Sequence, residues 1–245
     1  MLKVNDWVQA GRYGAALDAP RSLSGPTAPV TPVTLTGGPR TVNIAGGIGV
    51  EGLNIVVPVM LQSQGNENAV GFSVNFDPTL LKYVSTTKGS ADASATLVVN
   101  SNQATSGVVG VVLALQSGNS FTNGTQAEIA KLTFTALNTT SNGIVKFTNG
   151  PVLLAISDPL ATELAANYTN SLVTINPPPT LSPTVTDTNV TFTWPTWGTG
   201  FNLQATGDLT QPWTNVVYTA QTNGSNIMLS LPIPTQGGYF RLQHP

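Results

Sequence analysis

Residues 53–84 read LNIVVPVMLQ, then SQGNEN, then AVGFSVNFDPTLLKYV. In the first run Leu53, Ile55, Val57, Val59 and Leu61 occupy every second position. In the second, Val70, Phe72, Val74 and Phe76 do the same, with Gly71, Ser73 and Asn75 between them. A strand sends alternate side chains to opposite faces, so each run presents one continuous apolar face. Asp77-Pro78 ends the second run, because proline fixes φ and has no amide proton for a ladder. Two such strands bury their faces against a second sheet, which predicts an all-β sandwich.

Composition narrows the function classes. The chain has 245 residues, with 8% charged and a net charge of −2. Ordinary domains carry about a quarter charged residues. Nucleic-acid binding rests on neutralising phosphates, and this chain has little to do it with. It contains no cysteine, so disulfides and thiolate metal sites are excluded. The longest apolar run, near Val108 to Leu115, is far short of the roughly 20 residues of a membrane helix. Met1 to Asp6 lacks the basic-then-apolar pattern of a leader, so an exported protein is expected here in a mature or cut form.

Residues 5–18, NDWVQAGRYGAALD, carry the one helical pattern. Asn5 or Asp6 can cap it. Trp7, Ala10, Gly11, Gly14 and Leu17 recur at spacings of three and four and share a face. The two glycines weaken an isolated helix by about 1 kcal/mol each, so another surface is expected close by. That surface belongs either to the chain's own domain or to a partner. Residues 19–40 hold five prolines among Ser, Thr and Gly and read as a semi-rigid linker. Gly46-Gly47-Ile48-Gly49 precedes a strand and lacks Lys-Ser/Thr, so it is not a phosphate loop.

The sandwich is expected over 41–176, with about eight strands. Ala95-Leu97-Val99, Val109-Val111-Leu113-Leu115 and Ala130-Leu132-Phe134-Ala136 alternate. Asn123-Gly124 and Asn142-Gly143 read as turns. Val145, Phe147, Val152, Leu154 and Ile156 read as further strands, Ser157 to Ala166 as a loop or helical turn, and Leu172 to Ile175 as the closing strand. Residues 177–183 are a second proline-rich linker. Residues 184–245 form a small β-domain near the lower size limit for an independent core. Its expected strands include Val190-Phe192-Trp194, Phe201-Leu203-Ala205, Val216 to Tyr218, Ile227-Leu229-Leu231 and Tyr239 to Leu242.

From about Ile44 to Ile175 the chain resembles a cohesin domain. VVPVML, the F-D-P-x-x-L turn in VGFSVNFDPTLLKYV, IAKLTFTAL and the closing LVTI carry the resemblance. It implies a jelly-roll sandwich that binds dockerin modules through one exposed sheet face. The 5–18 stretch resembles the helix that follows a dockerin calcium loop; the upstream Asp/Asn ligands are absent, and calcium needs six or more oxygens. GFNLQATGDLTQPW and YFRLQHP are similar to short β-domains ending bacterial exported proteins.

Catalytic signatures are missing. The single histidine, His244, is one residue from the C-terminus, where no triad is expected. The 11 carboxylates are scattered, Asp77 serving its turn. No cofactor or metal site is expected. Trp194 and Trp213 read as core. Trp197, beside Gly198, reads as exposed and, with Tyr83, is the candidate carbohydrate platform. Trp7, Gly11, Gly14 and Leu17 are the candidate partner-binding residues. The expectation is a non-enzymatic bacterial extracellular or cell-surface protein acting by assembly with a protein partner or with copies of itself. Head-to-tail fibre formation through the helix is its sharpest form, and a carbohydrate-binding module is the alternative.

Overall fold

The computed structural model describes residues 39–91, 94–124, 126–219, 221–233 and 237–245, together with Val8. Apart from Val8, the helix expected over 5–18, with Trp7, Gly11, Gly14 and Leu17, lies outside the described residues, as does the linker up to residue 38.

Thirteen strands build the first unit: β1 (Arg40–Ile44), β2 (Gly47–Val50), β3 (Asn54–Gln62), β4 (Ala69–Phe76), β5 (Leu81–Lys88), β6 (Thr96–Asn100), β7 (Val108–Ala114), β8 (Gln126–Ala136), β9 (Thr140–Thr148), β10 (Ala155–Ser157), β11 (Glu163–Leu164), β12 (Ala166–Thr169) and β13 (Ser171–Asn176). One sheet runs β12-β1-β3-β8-β5. The other runs β11-β10-β4-β9-β13-β2, with β7 on the far edge of β4 and β6 beyond it. The two expected amphipathic strands, β3 and β4, fall in opposite sheets. Their apolar faces meet in one core with Ile55, Val57, Val59, Phe72, Val74, Leu132 and Phe134, all buried. Phe76 and Phe134 meet edge to face across it at 4.8 Å.

Both ends of this unit change sheet in mid-course. β1 joins the first sheet and, after Ala45-Gly46, β2 joins the second. β12 and β13 repeat the step, so β1 pairs β12 and β2 pairs β13, both in parallel. Every other pair in the unit is antiparallel. The glycine run 46–49 is explained here: a Cβ on Gly49 would overlap the Ile55 side chain of the facing sheet. Glycine lets β2 come that close.

The turn between β3 and β4 is built around a buried ion pair. Arg40 Nε donates to Glu67 Oε1 at 2.8 Å, and both side chains are essentially inaccessible. Arg40 also donates to Asn66 Oδ1. Ser63 Oγ, at 2.6 Å, and the amides of Gln64 and Gly65 complete the carboxylate shell. Burial alone would push the Glu67 pKa up; hydrogen bonds from Ser63, Gln64 and Arg40 outweigh it and hold the carboxyl below its usual range. The ordered turn then receives the loop before β8: Phe121 N donates to Glu67 O and Gly124 N to Ser63 O.

Several expected elements differ. Thirteen strands replace about eight, because crossings and interruptions split long strands. Asn142-Gly143 lies inside β9, and the reversal comes earlier, at 137–139. Ser157 to Ala166 is a β10–β11 hairpin leading into β12, its turn held by Asp158 Oδ1 accepting from the amides of Leu160 and Thr162. Val152 and Leu154 are not in a strand.

The second unit comprises β14 (Ser182–Val185), β15 (Asn189–Pro195), β16 (Asn202–Thr206), β17 (Thr214–Asn215), β18 (Gln221–Asn223), β19 (Asn226–Pro232) and β20 (Tyr239–Gln243). Sheets β14-β15-β19-β18 and β17-β16-β20 enclose a separate core of Phe192, Trp194, Leu203, Ile227 and Leu229. Residues 216–219 are not a strand, although Val216 N still donates to Leu203 O. Trp194 is core, whereas Trp213 is half-buried beneath the Arg241 guanidinium at 4.4 Å.

Arg40→Met leaves Glu67 buried without its counter-charge and is expected to cost about 3 kcal/mol in urea unfolding. Because the folded Glu67 pKa is lowered, its contribution is complete above about pH 4.3 and is lost as pH falls through the folded value. The acid limb of stability against pH should therefore be shallower in Glu67→Gln than in the wild type.

Candidate functional site

The outer faces of the two sheets differ in chemistry. On the first sheet, β8 sends Lys131, Thr133 and Thr135 outward, and β1 sends Thr41 and Asn43. That face is mixed: β3 adds an outward row of Val56, Pro58 and Met60 between these polar strands, and Val84 of β5 is exposed as well. On the second sheet exposed apolar side chains stand among polar ones such as Asn142, Lys146 and Thr174. Ile48 of β2 is 76% exposed, Leu172 of β13 50%, Ile144 of β9 53% and Val98 of β6 59%. Register pairs two of them: Leu172 stands opposite Ile144, whereas Ile48 stands opposite Thr174 and Val98 opposite Val112.

A strap divides this face. β9 and β10 both pair the same edge of β4, and residues 149–154 between them fold out over the sheet. Ser73 fastens the strap twice: its Oγ donates to Val152 O at 2.7 Å and accepts from Val152 N at 2.8 Å. Beneath it Gly110 leaves room, since a Cβ there would stand 2.7 Å from Val152 and 2.9 Å from Pro151. Val98 and Val112 lie on one side of the strap, and Ile144, Leu172 and Ile48 on the other.

Beside Ile144 the surface dips into a shallow open cavity of about 290 Å³, lined by Asn75, Asp77, Leu80, Asn142, Ile144 and Lys146. Asp77 accepts from the Thr79 hydroxyl at 2.7 Å and the Thr79 amide at 2.8 Å, which lower its pKa. It serves the turn after β4 and keeps its charge at the rim.

The expected carbohydrate residues lie in different units. Tyr83 on β5 is half-buried, edge-on to Phe134 at 6.1 Å, and its hydroxyl pairs with Thr86 Oγ1. Trp197 stands in a one-turn 3-10 helix, Thr196–Gly198, that lies against β2. It is 39% exposed, and its Nε1 donates to Pro177 O at 3.2 Å, so it grips the linker. His244 packs edge-on against Phe201 at 5.3 Å. Among the described residues no three His, Asp or Glu side chains converge as metal ligands.

The jelly-roll sandwich carries exposed apolar side chains on both outer faces, and a strap crosses the second. The chain belongs to the cohesin family, whose profile matches residues 41–175. Cohesins are non-catalytic modules that bring proteins together. Among solved structures the chain is similar to the sixth cohesin of scaffoldin B from Acetivibrio cellulolyticus, solved with a dockerin. That match has 24% identity and a TM-score of 0.48, over 57% of this chain and 100% of the other. It is similar to a non-cellulosomal cohesin of the archaeon Archaeoglobus fulgidus, with 12% identity and a TM-score of 0.48, over 56% and 91%. A type I cohesin of Pseudobacteroides cellulosolvens shows 21% identity and a TM-score of 0.47, over 60% and 99%. A search of curated proteins found no match.

Alternation in the sequence points out β4, β7 and β9, but not the strap. Its signal is compositional: Gly71, Ser73 and Gly110 are small residues in strands otherwise filled with Val and Phe. Gly110→Val should displace the strap and cost about 1–3 kcal/mol, read as a lowered urea midpoint with an unchanged far-UV spectrum.

Proposed function

We propose that this chain is a non-catalytic subunit of an extracellular bacterial assembly, and that its sandwich holds a protein partner on the outer face of the second sheet. One observation carries this: the exposed Ile48, Leu172, Ile144 and Val98 on that face, with Leu172 and Ile144 standing opposite each other. A partner covering such a surface removes apolar area from water, at about 25 cal/mol per Å². Residues tethered to a sheet also lose little freedom on binding, so more of that gain is kept.

The partner we favour is the helix read at 5–18, presented by a second copy. Gly11 and Gly14 let a helix axis come close to a flat sheet, and Trp7 and Leu17 supply anchors on the same face. The relative from Acetivibrio cellulolyticus was solved with a dockerin, and residues 5–18 resemble a dockerin helix. A contact between the arm of one copy and the sandwich of the next is heterologous, so it propagates head to tail and need not close.

A second reading is a carbohydrate site around Trp197, whose ring is partly open to solvent. Glycan binding that disappears in Trp197→Ala and persists in Tyr83→Phe would favour it.

For the assembly reading, light scattering of the full chain should give a mass that rises with concentration. Ile144→Asp, on an exposed position, and Trp7→Ala/Leu17→Ala should each weaken self-association by about tenfold or more with unchanged circular dichroism. Self-association that is indifferent to all three substitutions would overturn the helix-on-sheet contact.

A further inference from the structure

The small unit is one strand short. Its four-stranded sheet faces a three-stranded one across Phe192 and Phe240, whose rings lie 4.5 Å apart. In β14, Pro183 stands opposite Phe192 and Val185 opposite Val190, so all four point inward. Val185 is nonetheless 67% exposed and Ile233 42%. Among the described residues the facing sheet stops at β20, and β14 stays exposed. An open apolar groove of about 470 Å³ results, with Val190 and Phe192 in it and Phe240 on its far side.

The groove has one open backbone edge. Among the described residues no strand pairs the outer edge of β20. β14 is also an edge, but Pro183 blunts it, since proline offers no amide to a new neighbour. β20, Tyr-Phe-Arg-Leu-Gln, contains no proline. Unpaired N–H and C=O groups beside an apolar trough are a template for an added strand.

We propose that this groove receives residues 31–36, Thr-Pro-Val-Thr-Leu-Thr, of a second copy as a strand added to β20. Val33 and Leu35 alternate with Thr34 and Thr36, the pattern of a strand with one buried face. Pro32 has the parity of Thr34 and Thr36. With Thr31, Val33 and Leu35 bonded to β20, Pro32 turns its nitrogen to solvent, where an edge strand tolerates it. The added strand gives the three-stranded sheet its fourth member and covers Val185.

Reach decides between the chain's own groove and a neighbour's. β1 and β2 run in series from Arg40 to Val50, about 33 Å at 3.3 Å per residue. The small unit follows Asn176, which pairs with Val50 at the far end. Leu35 precedes Arg40 by five residues and extends about 17 Å from it. That reach is about half the run from Arg40 to Val50, beyond which the small unit begins, and this favours the groove of another copy. The first and last strands of the sandwich run in parallel, so the arm is attached where the sandwich begins and the small unit where it ends, and such a contact can repeat from copy to copy. This inference rests on the self-assembly reading and names a second contact for it.

The test is complementation between two full-length variants. Val33→Asp/Leu35→Asp spoils the arm, and Val185→Asp, at an exposed position, spoils the groove. Each alone should lose self-association by about tenfold or more. Mixed, the intact arm of one fits the intact groove of the other, and association should be regained relative to either variant alone. Because the chain has no cysteine, chains carrying Leu35→Cys and Val185→Cys, mixed under oxidation, should give a disulfide-linked dimer on a non-reducing gel. Mixtures that never pair, or a disulfide formed only within a chain carrying both substitutions, would overturn the proposal. Failure of the sheet-face contact is separable: Ile144→Asp leaves the disulfide-linked dimer intact if only the strand contact exists.

Discussion

The buried pairing of Arg40 with Glu67 is the interaction on which the sandwich depends. A chain with so few charges hides two of them completely, which is costly unless every lone pair and proton is satisfied. Here the carboxylate accepts from Arg40, Ser63, Gln64 and Gly65. The guanidinium fixes where β1 begins, and the carboxylate fixes the turn that separates β3 from β4. Those strands belong to opposite sheets, so the pair sets how the two halves of the core are joined. The same turn then seats the loop before β8 through Glu67 and Ser63 carbonyls. A hydrophobic replacement would fill the space but would not specify one geometry for all of these segments.

Much of this was legible in the chain. Period-two alternation in 53–76 defines β3 and β4 and the faces they bury, and the stop at Asp77-Pro78 is in place. The same pattern finds β6 and β7 to within a residue or two, and the second half of β8, which begins four residues earlier at Gln126. What alternation cannot show is an interruption that serves packing. Val152 and Leu154 have strand-like spacing, yet residues 149–154 leave the ladder because Ser73 offers hydrogen bonds above the sheet and Gly110 leaves room there. Local pattern and tertiary demand conflict, and the tertiary demand wins.

The proposed docking face was only half legible. The sequence marks Ile144, Leu172 and Ile48 as apolar, but not that they share one exposed surface, because their strands come together from distant segments. The glycines 46–49 were separable from a phosphate loop by context alone; their reason, close passage over Ile55, required the facing sheet. Arg40 and Glu67 left a fainter trace: charges in a chain that avoids charge, one of them inside a turn of otherwise uncharged residues. The resemblance read from about Ile44 to Ile175 agrees with the cohesin family profile, which matches residues 41–175.

The parallel pairing of β1 with β12 and β2 with β13 has a mechanical consequence. The first and last strands of the sandwich lie side by side and point the same way, so the chain enters at one end and leaves at the other. Tension applied through the two ends pulls these neighbours past each other along their length. Their ladder bonds, Arg40 to Asn43 with Ala166 to Thr169 and Gly47 to Val50 with Val173 to Asn176, then carry load together rather than one after another. Such a shear clamp resists extension far better than a hairpin peeled from its open end, and the parallel closure makes the module suited to holding under pull.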